Sequence, residues 1–158
     1  MIIRSARLLE GPAIADLWRQ LLSEQHEVDQ RFSASDDARE RWLNDFKEWV
    51  GAPEVHHLVV AESDGALVGF ASAELWWPQP VYEQVLEVYL SELYVAPACR
   101  RQGIGSKLLA NVQEWARSKD VAQIRLGTLA RNHEAIDFWE NRGASEFLVT
   151  LLLPTGGF

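Results

Sequence analysis

Leu93-Tyr94-Val95-Ala96-Pro97-Ala98-Cys99-Arg100-Arg101-Gln102-Gly103-Ile104-Gly105-Ser106-Lys107 is the stretch on which the reading of this chain turns. It joins an alternating, strand-like segment, Val85 to Val95, to a helical pattern from about Gly103 to Ser118, with Pro97 stopping the strand. In the helical part Ile104, Leu108, Leu109, Val112, Trp115 and Ala116 fall on one face. The first amides of a helix have no partner within it and carry partial positive charge. Glycine lets a ligand approach the backbone closely, and Arg100, Arg101 and Lys107 add full charges. A strand, a glycine loop and a helix start so composed form an anion site into which a pyrophosphate fits.

Two common phosphate motifs are absent. A dinucleotide fingerprint needs glycine where Leu108 stands, and a P-loop needs lysine directly after glycine, where Ser106 stands.

Outward from the loop, residues 2 to 8 read as a short strand. A helix follows from Glu10, with Ile14, Leu17, Trp18, Leu21 and Leu22 in one stripe. Ser35-Asp36 caps a second helix through about Val50, carrying Trp42, Phe46 and Trp49 on one side and ended by Gly51-Ala52-Pro53. Leu58 to Glu62 and Leu67 to Leu75 form a hairpin around Ser63-Asp64-Gly65, and Trp76-Trp77-Pro78-Gln79-Pro80 forces a loop. Beyond the anion loop and its helix, Ile124 to Thr128 is a strand. Asn132 opens a short helix to about Arg142, Gly143 caps it, Phe147 to Leu153 closes as a strand, and Pro154 to Phe158 is a loose tail. The sum is a mixed α/β fold in one domain, residues 1–158, with a hairpin region, a strand-helix-strand crossover and no internal repeat.

Composition narrows the function classes. At 158 residues, 47% hydrophobic and 24% charged, the chain is sized for one domain with a full core. Its net charge is -8, with 7 basic and 14 acidic side chains in residues 1–80 against 8 and 9 in 81–158, so nucleic acid is not an expected partner. Cys99 is the single cysteine and no Cys/His grouping has metal-ligand spacing, which points to a reducing cytoplasm and a site without metal. The expectation is a soluble protein without signal peptide or membrane span.

Arg100-x-x-Gly103-x-Gly105 fits the pattern R/Q-x-x-G-x-G/A, and Asn132-His133-Glu134-Ala135-Ile136-Asp137-Phe138-Trp139-Glu140-Asn141-Arg142-Gly143-Ala144 looks like N-x-x-A-x-x-F-Y-x-x-x-G-F, with Trp139 and Ala144 at the Y and final F positions. On these two motifs, in this order, the chain resembles the GNAT superfamily of acyl-CoA-dependent N-acetyltransferases. The resemblance implies a central, mostly antiparallel sheet with a strand-helix-strand core that binds acetyl-CoA. It implies that Arg100, Arg101, Gln102, Gly103, Ile104, Gly105, Ser106 and Lys107 hold the pyrophosphate and that Tyr94 and Val95 pair with the pantetheine arm. It also implies that Asn132 touches the cofactor and that Trp139 packs against its arm.

Acetyl transfer to an amine requires a base, because a free alkylamine has a pKa of about 10. Glu92, three residues before Val95, matches the position at which many family members carry that base, and Glu87 is the second candidate. The family's usual acid is the Tyr of its F-Y pair, which is Trp139 here; a thiol of pKa about 8.5 leaves tolerably without it, and Tyr94 or water is the substitute. The family resemblance implies a backbone amide near Val95 as the oxyanion donor. Cys99, with no His partner, is read as an ordinary loop residue.

The early helices and the loop before the central strand usually shape the acceptor site in this superfamily. They supply Glu24, Glu27, Asp29, Asp36, Asp37 and Glu40 with Trp42, Trp49, Trp76, Trp77 and Tyr82, a set suited to a small cationic amine of aminoglycoside or polyamine type. The alternatives are a protein lysine or N-terminal acetyltransferase and a non-catalytic acyl-CoA-binding module. Residue by residue, the same acids suit a solvated helix face and the tryptophans core or dimer contacts, and the apolar stretch Phe147 to Leu153 would also suit a homodimer.

Overall fold

The fold is described from a computed structural model covering residues 1–156 of the chain. It divides into two compact units, Met1–Gly127 and the segment from Thr128 onward.

The first unit holds strand β1 (Ile2–Ser5), helices α1 (Gly11–Val28) and α2 (Ala38–Val50), strands β2 (His56–Ser63), β3 (Ala66–Trp76) and β4 (Glu87–Val95), helix α3 (Ile104–Ser118) and strand β5 (Ile124–Leu126). The strands lie in sequence order in one sheet; β1 to β4 pair antiparallel and β5 pairs parallel to β4, as a crossover through a helix requires. The β2–β3 turn places both Asp64 (φ 51°) and Gly65 (φ 78°) in the left-handed region, the requirement that selects an Asp-Gly pair.

Leu58 and Val60 of β2, Phe70 of β3 and Tyr94 of β4 form one buried cluster with Ile14 and Leu17 of α1 and Trp42 and Phe46 of α2. Trp42 is its centre, stacked on Trp18 (5.7 Å between ring centroids) and on Phe46 (5.3 Å). Helix α3 packs across β2, β3 and β4 with Ile104, Leu108, Val112 and Ala116 buried. At Gly69 of β3 any side chain would come within 2.7 Å of the Tyr94 carbonyl, so glycine is what allows β3 to approach β4 there.

In the second unit helix α4 (His133–Glu140) is capped at both ends as its sequence suggests. The Asn132 side chain accepts the Ala135 N–H at 3.1 Å, and Gly143 (φ 90°) turns the chain so that the Ala144 N–H reaches the Trp139 carbonyl at 3.1 Å.

Three expectations need correction. Residues 2–8 are a strand only to Ser5 and β5 ends at Leu126 instead of Thr128. Phe147 to Leu153 is not a strand, and Phe147, Leu148, Val149, Leu151, Leu152 and Leu153 are 67–91% exposed. A helix satisfies its backbone within itself, but a strand exists only against a neighbour, and an apolar run cannot announce one. Pro154 to Gly156 have no regular structure; the rest of the expected loose tail lies outside the described residues.

Candidate active site

Strand β4 organises the site. It pairs with β3 from Glu87 (opposite Trp76) to Val95 (opposite Gly69), but β5 accompanies it only over Val88–Leu90. From Ser91 to Val95, β4 therefore lacks a strand partner on the β5 side, among the described residues. A bulge marks the same place: Ser72 of β3 faces Glu92 and Ala73 faces Leu90, so Ser91 is the extra residue, and its hydroxyl donates to the Ser72 carbonyl at 3.0 Å.

After β4 the chain makes a short 3-10 turn at Pro97–Cys99 and enters α3 through two left-handed residues, Arg101 (φ 60°) and Gly103 (φ 77°). Gly103 is the N-cap of α3 and its Cα faces open space, so conformation, not crowding, requires glycine. Arg101 has no such licence, and a strained non-glycine residue next to an open helix start is the pattern of a ligand-binding turn. Arg101, Gln102 and Lys107 are exposed, and Ile104 is buried as the helix's anchor, so any ligand meets Ile104 through its backbone alone.

Arg100 stands apart from the other cations. Its guanidinium donates to both carboxylate oxygens of Glu24 on α1 (3.0 and 2.7 Å), its Nε donates to the Val95 carbonyl at 2.8 Å, and its Cζ lies 5.3 Å from the centroid of the Tyr94 ring. The expectation that Arg100 offers its charge to a phosphate has to be set against this engagement.

The two candidate bases have opposite surroundings. Glu87 is buried, accepts from Arg125 at 2.8 Å and from Gln123 at 2.9 Å, and is held below the ordinary carboxylate range chiefly by the arginine. A carboxylate so paired is a poor base, and Glu87 drops out. Glu92 has Oε2 buried with no hydrogen-bond partner. Burial pushes its carboxyl above the ordinary range; nearby Ser91, Trp18 and Ser72 oppose this more weakly.

The Tyr94 ring is buried and its hydroxyl donates to Glu24 at 2.7 Å. Burial first, and the Glu24 carboxylate second, hold the phenol well above its usual pKa. A proton bound that tightly and aimed at Glu24 is badly placed for release to a thiolate, so the expected acid role does not fit the geometry.

The expected acceptor-shaping residues do not form one constellation. Asp29 is buried and paired with Arg31 at 2.6 Å, Asp37 with Arg41 at 2.7 Å, and Glu24 with Arg100. Trp42 is core, Trp49 meets it edge-on at 5.8 Å, and Trp76 carries the Arg125 guanidinium 4.8 Å above its ring. Glu27, Asp36, Glu40, Trp77 and Tyr82 are exposed. Instead, a cleft of about 450 Å³ opens beside Tyr94, lined by Asp16, Arg19, Gln20, Ser23, Glu24 and Pro97. Reading α1 for its polar face, where 16, 19, 20, 23 and 24 recur at helical spacing, would have found it.

In the second unit, Asn132 spends its side-chain oxygen on the helix cap, and Trp139 lies edge-on to Phe138 at 4.9 Å. Among the described residues no three His, Cys, Asp or Glu side chains group as metal ligands would, and no helix is long and apolar enough to cross a membrane.

Comparison with known proteins gives the family and the fold. The model of the acetyltransferase (GNAT) family matches residues 15–144. A thialysine N-epsilon-acetyltransferase of Sus scrofa is 42% identical over 59 residues, 37% of this chain and 35% of its own length, so the match spans about a third of that relative. An uncharacterized N-acetyltransferase of Archaeoglobus fulgidus is 30% identical over 106 residues, covering 66% of this chain and 70% of its own. The solved aminoglycoside N-acetyltransferase AAC(6')-Iy in complex with CoA superposes with a TM-score of 0.77 at 22% identity, over 98% of this chain and 93% of that one, a likeness of fold. The chain belongs to the GNAT acetyltransferase family, a family of N-acetyltransferases.

Proposed function

We propose that this member transfers an acetyl group from acetyl-CoA to a small cationic amine by direct attack on the thioester, with Glu92 as general base. The observation that carries the reading is Glu92 itself: a carboxyl whose Oε2 is buried without a hydrogen-bond partner, beside a bulge, on the strand whose edge is left open from Ser91. A carboxyl raised by desolvation takes a proton from an ammonium more readily than an exposed one. The amine nitrogen bonds to the acetyl carbon, the carbon–sulfur bond breaks, and the amine's proton passes to Glu92 directly or through water. The sulfur leaves as thiolate and is protonated from solvent. The open edge of β4 near Tyr94 and Val95 fits an extended amide-bearing arm. The first-turn amides of α3, with Arg101 and Lys107, fit a pyrophosphate. In this reading a backbone amide near Val95 receives the developing oxyanion, and Gln102, Gly105 and Ser106 act within the loop.

For the acceptor, the cleft beside Tyr94 is lined by Asp16, Arg19 and Glu24, with Asp16 paired to Arg39 and Glu24 to Arg100, so the support for a cation is the acidic first half of the chain. The names of the thialysine and aminoglycoside enzymes point to amine acceptors as well. Cysteine usage supports a cytoplasmic protein. The exposed apolar run Phe147 to Leu153 supports a homodimer, since so continuous a patch otherwise invites aggregation. The test is thiol release from acetyl-CoA over a panel of aminoglycosides, polyamines, amino acids and peptides. Turnover of a small cationic amine is expected; turnover confined to peptides, or CoA binding with no turnover, would overturn the acceptor assignment.

A further inference from the structure

Glu24 lies 70 residues from Tyr94 and 76 from Arg100 in the chain, yet the three close into one network at the end of β4. Glu24 accepts from the Tyr94 hydroxyl and twice from the Arg100 guanidinium; Arg100 in turn donates Nε–H to the Val95 carbonyl. On the other side of that peptide unit, the Ala96 N–H donates to the Val68 carbonyl at 2.8 Å. The Val95–Ala96 peptide is thus held by both of its polar groups, one through β3 and one through a side chain anchored on α1. It is also the hinge at which the strand stops and the anion loop begins.

We infer that Arg100 is a positioning residue, not a phosphate ligand: seated on Glu24, it straps the Val95–Ala96 peptide and thereby sets where the loop's amides point. The planar fork of arginine suits this role, because Nε serves the carbonyl while the terminal nitrogen serves the carboxylate. Lysine, a single point charge, cannot reach both. A phosphate ligand would have the opposite preference, since lysine binds phosphate well as a charge alone. Arg101 and Lys107, both exposed, are then the side chains that meet the anion.

The inference rests on the acetyl-CoA reading for its functional consequence but not for its existence, and the test separates the two. Dissociation constants for CoA are measured between 50 mM and 300 mM salt for wild type, Arg100→Lys, Arg100→Gln, Glu24→Gln and Arg101→Gln. In parallel, hydrogen exchange of segment 94–102 is followed in the ligand-free proteins, with β2 as internal control. The strap predicts that Arg100→Lys and Glu24→Gln each weaken CoA binding about tenfold, the scale of a charge-assisted hydrogen bond. Their salt dependence stays that of wild type, whereas Arg101→Gln flattens it. Segment 94–102 exchanges faster in both, β2 does not, and combining Glu24→Gln with Arg100→Gln adds little to either alone.

Wild-type affinity in Arg100→Lys together with a flattened salt dependence in Arg100→Gln would overturn the strap and make Arg100 a phosphate ligand. Unchanged exchange at 94–102 in Glu24→Gln would overturn it equally. If the wild type binds no CoA while Glu24→Gln still loosens the segment, the strap stands and the acetyl-CoA reading falls.

Discussion

The two ends of β4 carry two glutamates five residues apart that have had opposite fates. At the N-terminal end, where β3 and β5 flank the strand, Glu87 is paired with Arg125 and Gln123 and held ionised. Toward the C-terminal end, past the last residue β5 accompanies, Glu92 has Oε2 buried without a partner and is held toward its neutral form. Burial alone does not decide what a carboxyl can do. At one end the sheet is complete and a cation is supplied, so the charge serves stability; at the other the sheet opens and none is supplied, so a proton can come and go.

The largest expected effect comes from Glu92→Gln. Loss of a general base lowers kcat roughly a hundredfold or more. Stability moves the other way. The folded carboxyl has its pKa raised above the unfolded value of about 4.5, so ionisation costs stability increasingly as pH rises through the folded value. Glu92→Gln removes that cost. Its melting temperature should exceed wild type at pH 8, with the difference vanishing below about pH 4. A variant less active and no more stable at pH 8 would break the contrast between the two ends.

Arg125→Met tests the other end. It leaves Glu87 buried without its cation, which costs about 3 kcal/mol and lowers the melting temperature by roughly 5–10 °C at pH 7. Because Arg125 lowers the pKa of Glu87, the pair's contribution is present above the ordinary carboxyl value and is lost as pH falls through the lowered one. The gap between variant and wild type should therefore narrow in acid, as it does for Glu92→Gln, but with this variant below wild type at neutral pH instead of above it. Thermal melts from pH 3 to pH 8 read both.

How much of this contrast was visible in the sequence follows the range of the forces involved. The Asp64-Gly65 turn and the Gly143 C-cap were legible because each is a local demand on φ that few residues meet, whereas Gly103 was legible only as the approximate start of α3. The stripe of α3 was legible because a helix repeats its face every turn. Glu92 stood out by its place relative to the glycine loop, but the bulge at Ser91 did not, because a bulge belongs to two strands and appears in neither alone. The pairing of Glu87 with Arg125 and of Glu24 with Arg100 spans 38 and 76 residues, and nothing in either neighbourhood announces it. Trp42 was open to two readings, ligand site and core, and is core; a tryptophan on a helical stripe is first of all an apolar surface to be buried.

A smaller effect probes the turn that the open end of β4 leads into. Gly103→Ala meets no atom within 4 Å, so its whole cost is that of a Cβ at φ 77°, about 1 kcal/mol. If the loop's shape is what binds the anion, the KM for acetyl-CoA should rise several-fold with kcat little changed. An equal loss in kcat would place the residue in the chemical step instead.

The smallest effect expected is that of Tyr94→Phe, and its smallness is informative. The hydroxyl removed is bonded to Glu24, and Arg100 still satisfies both oxygens of that carboxylate after the change. The ring, which supplies the burial and the surface beneath Arg100, is retained. The loss in stability should stay near 1 kcal/mol, the net worth of one hydrogen bond to a charged group discounted for the partner that remains. An acid that protonates the leaving thiolate would behave differently: kcat would fall a hundredfold and the alkaline limb of its pH profile would disappear. A kcat within a few-fold of wild type, with that limb intact, leaves Glu92 as the residue at the open end of β4 whose proton the reaction moves.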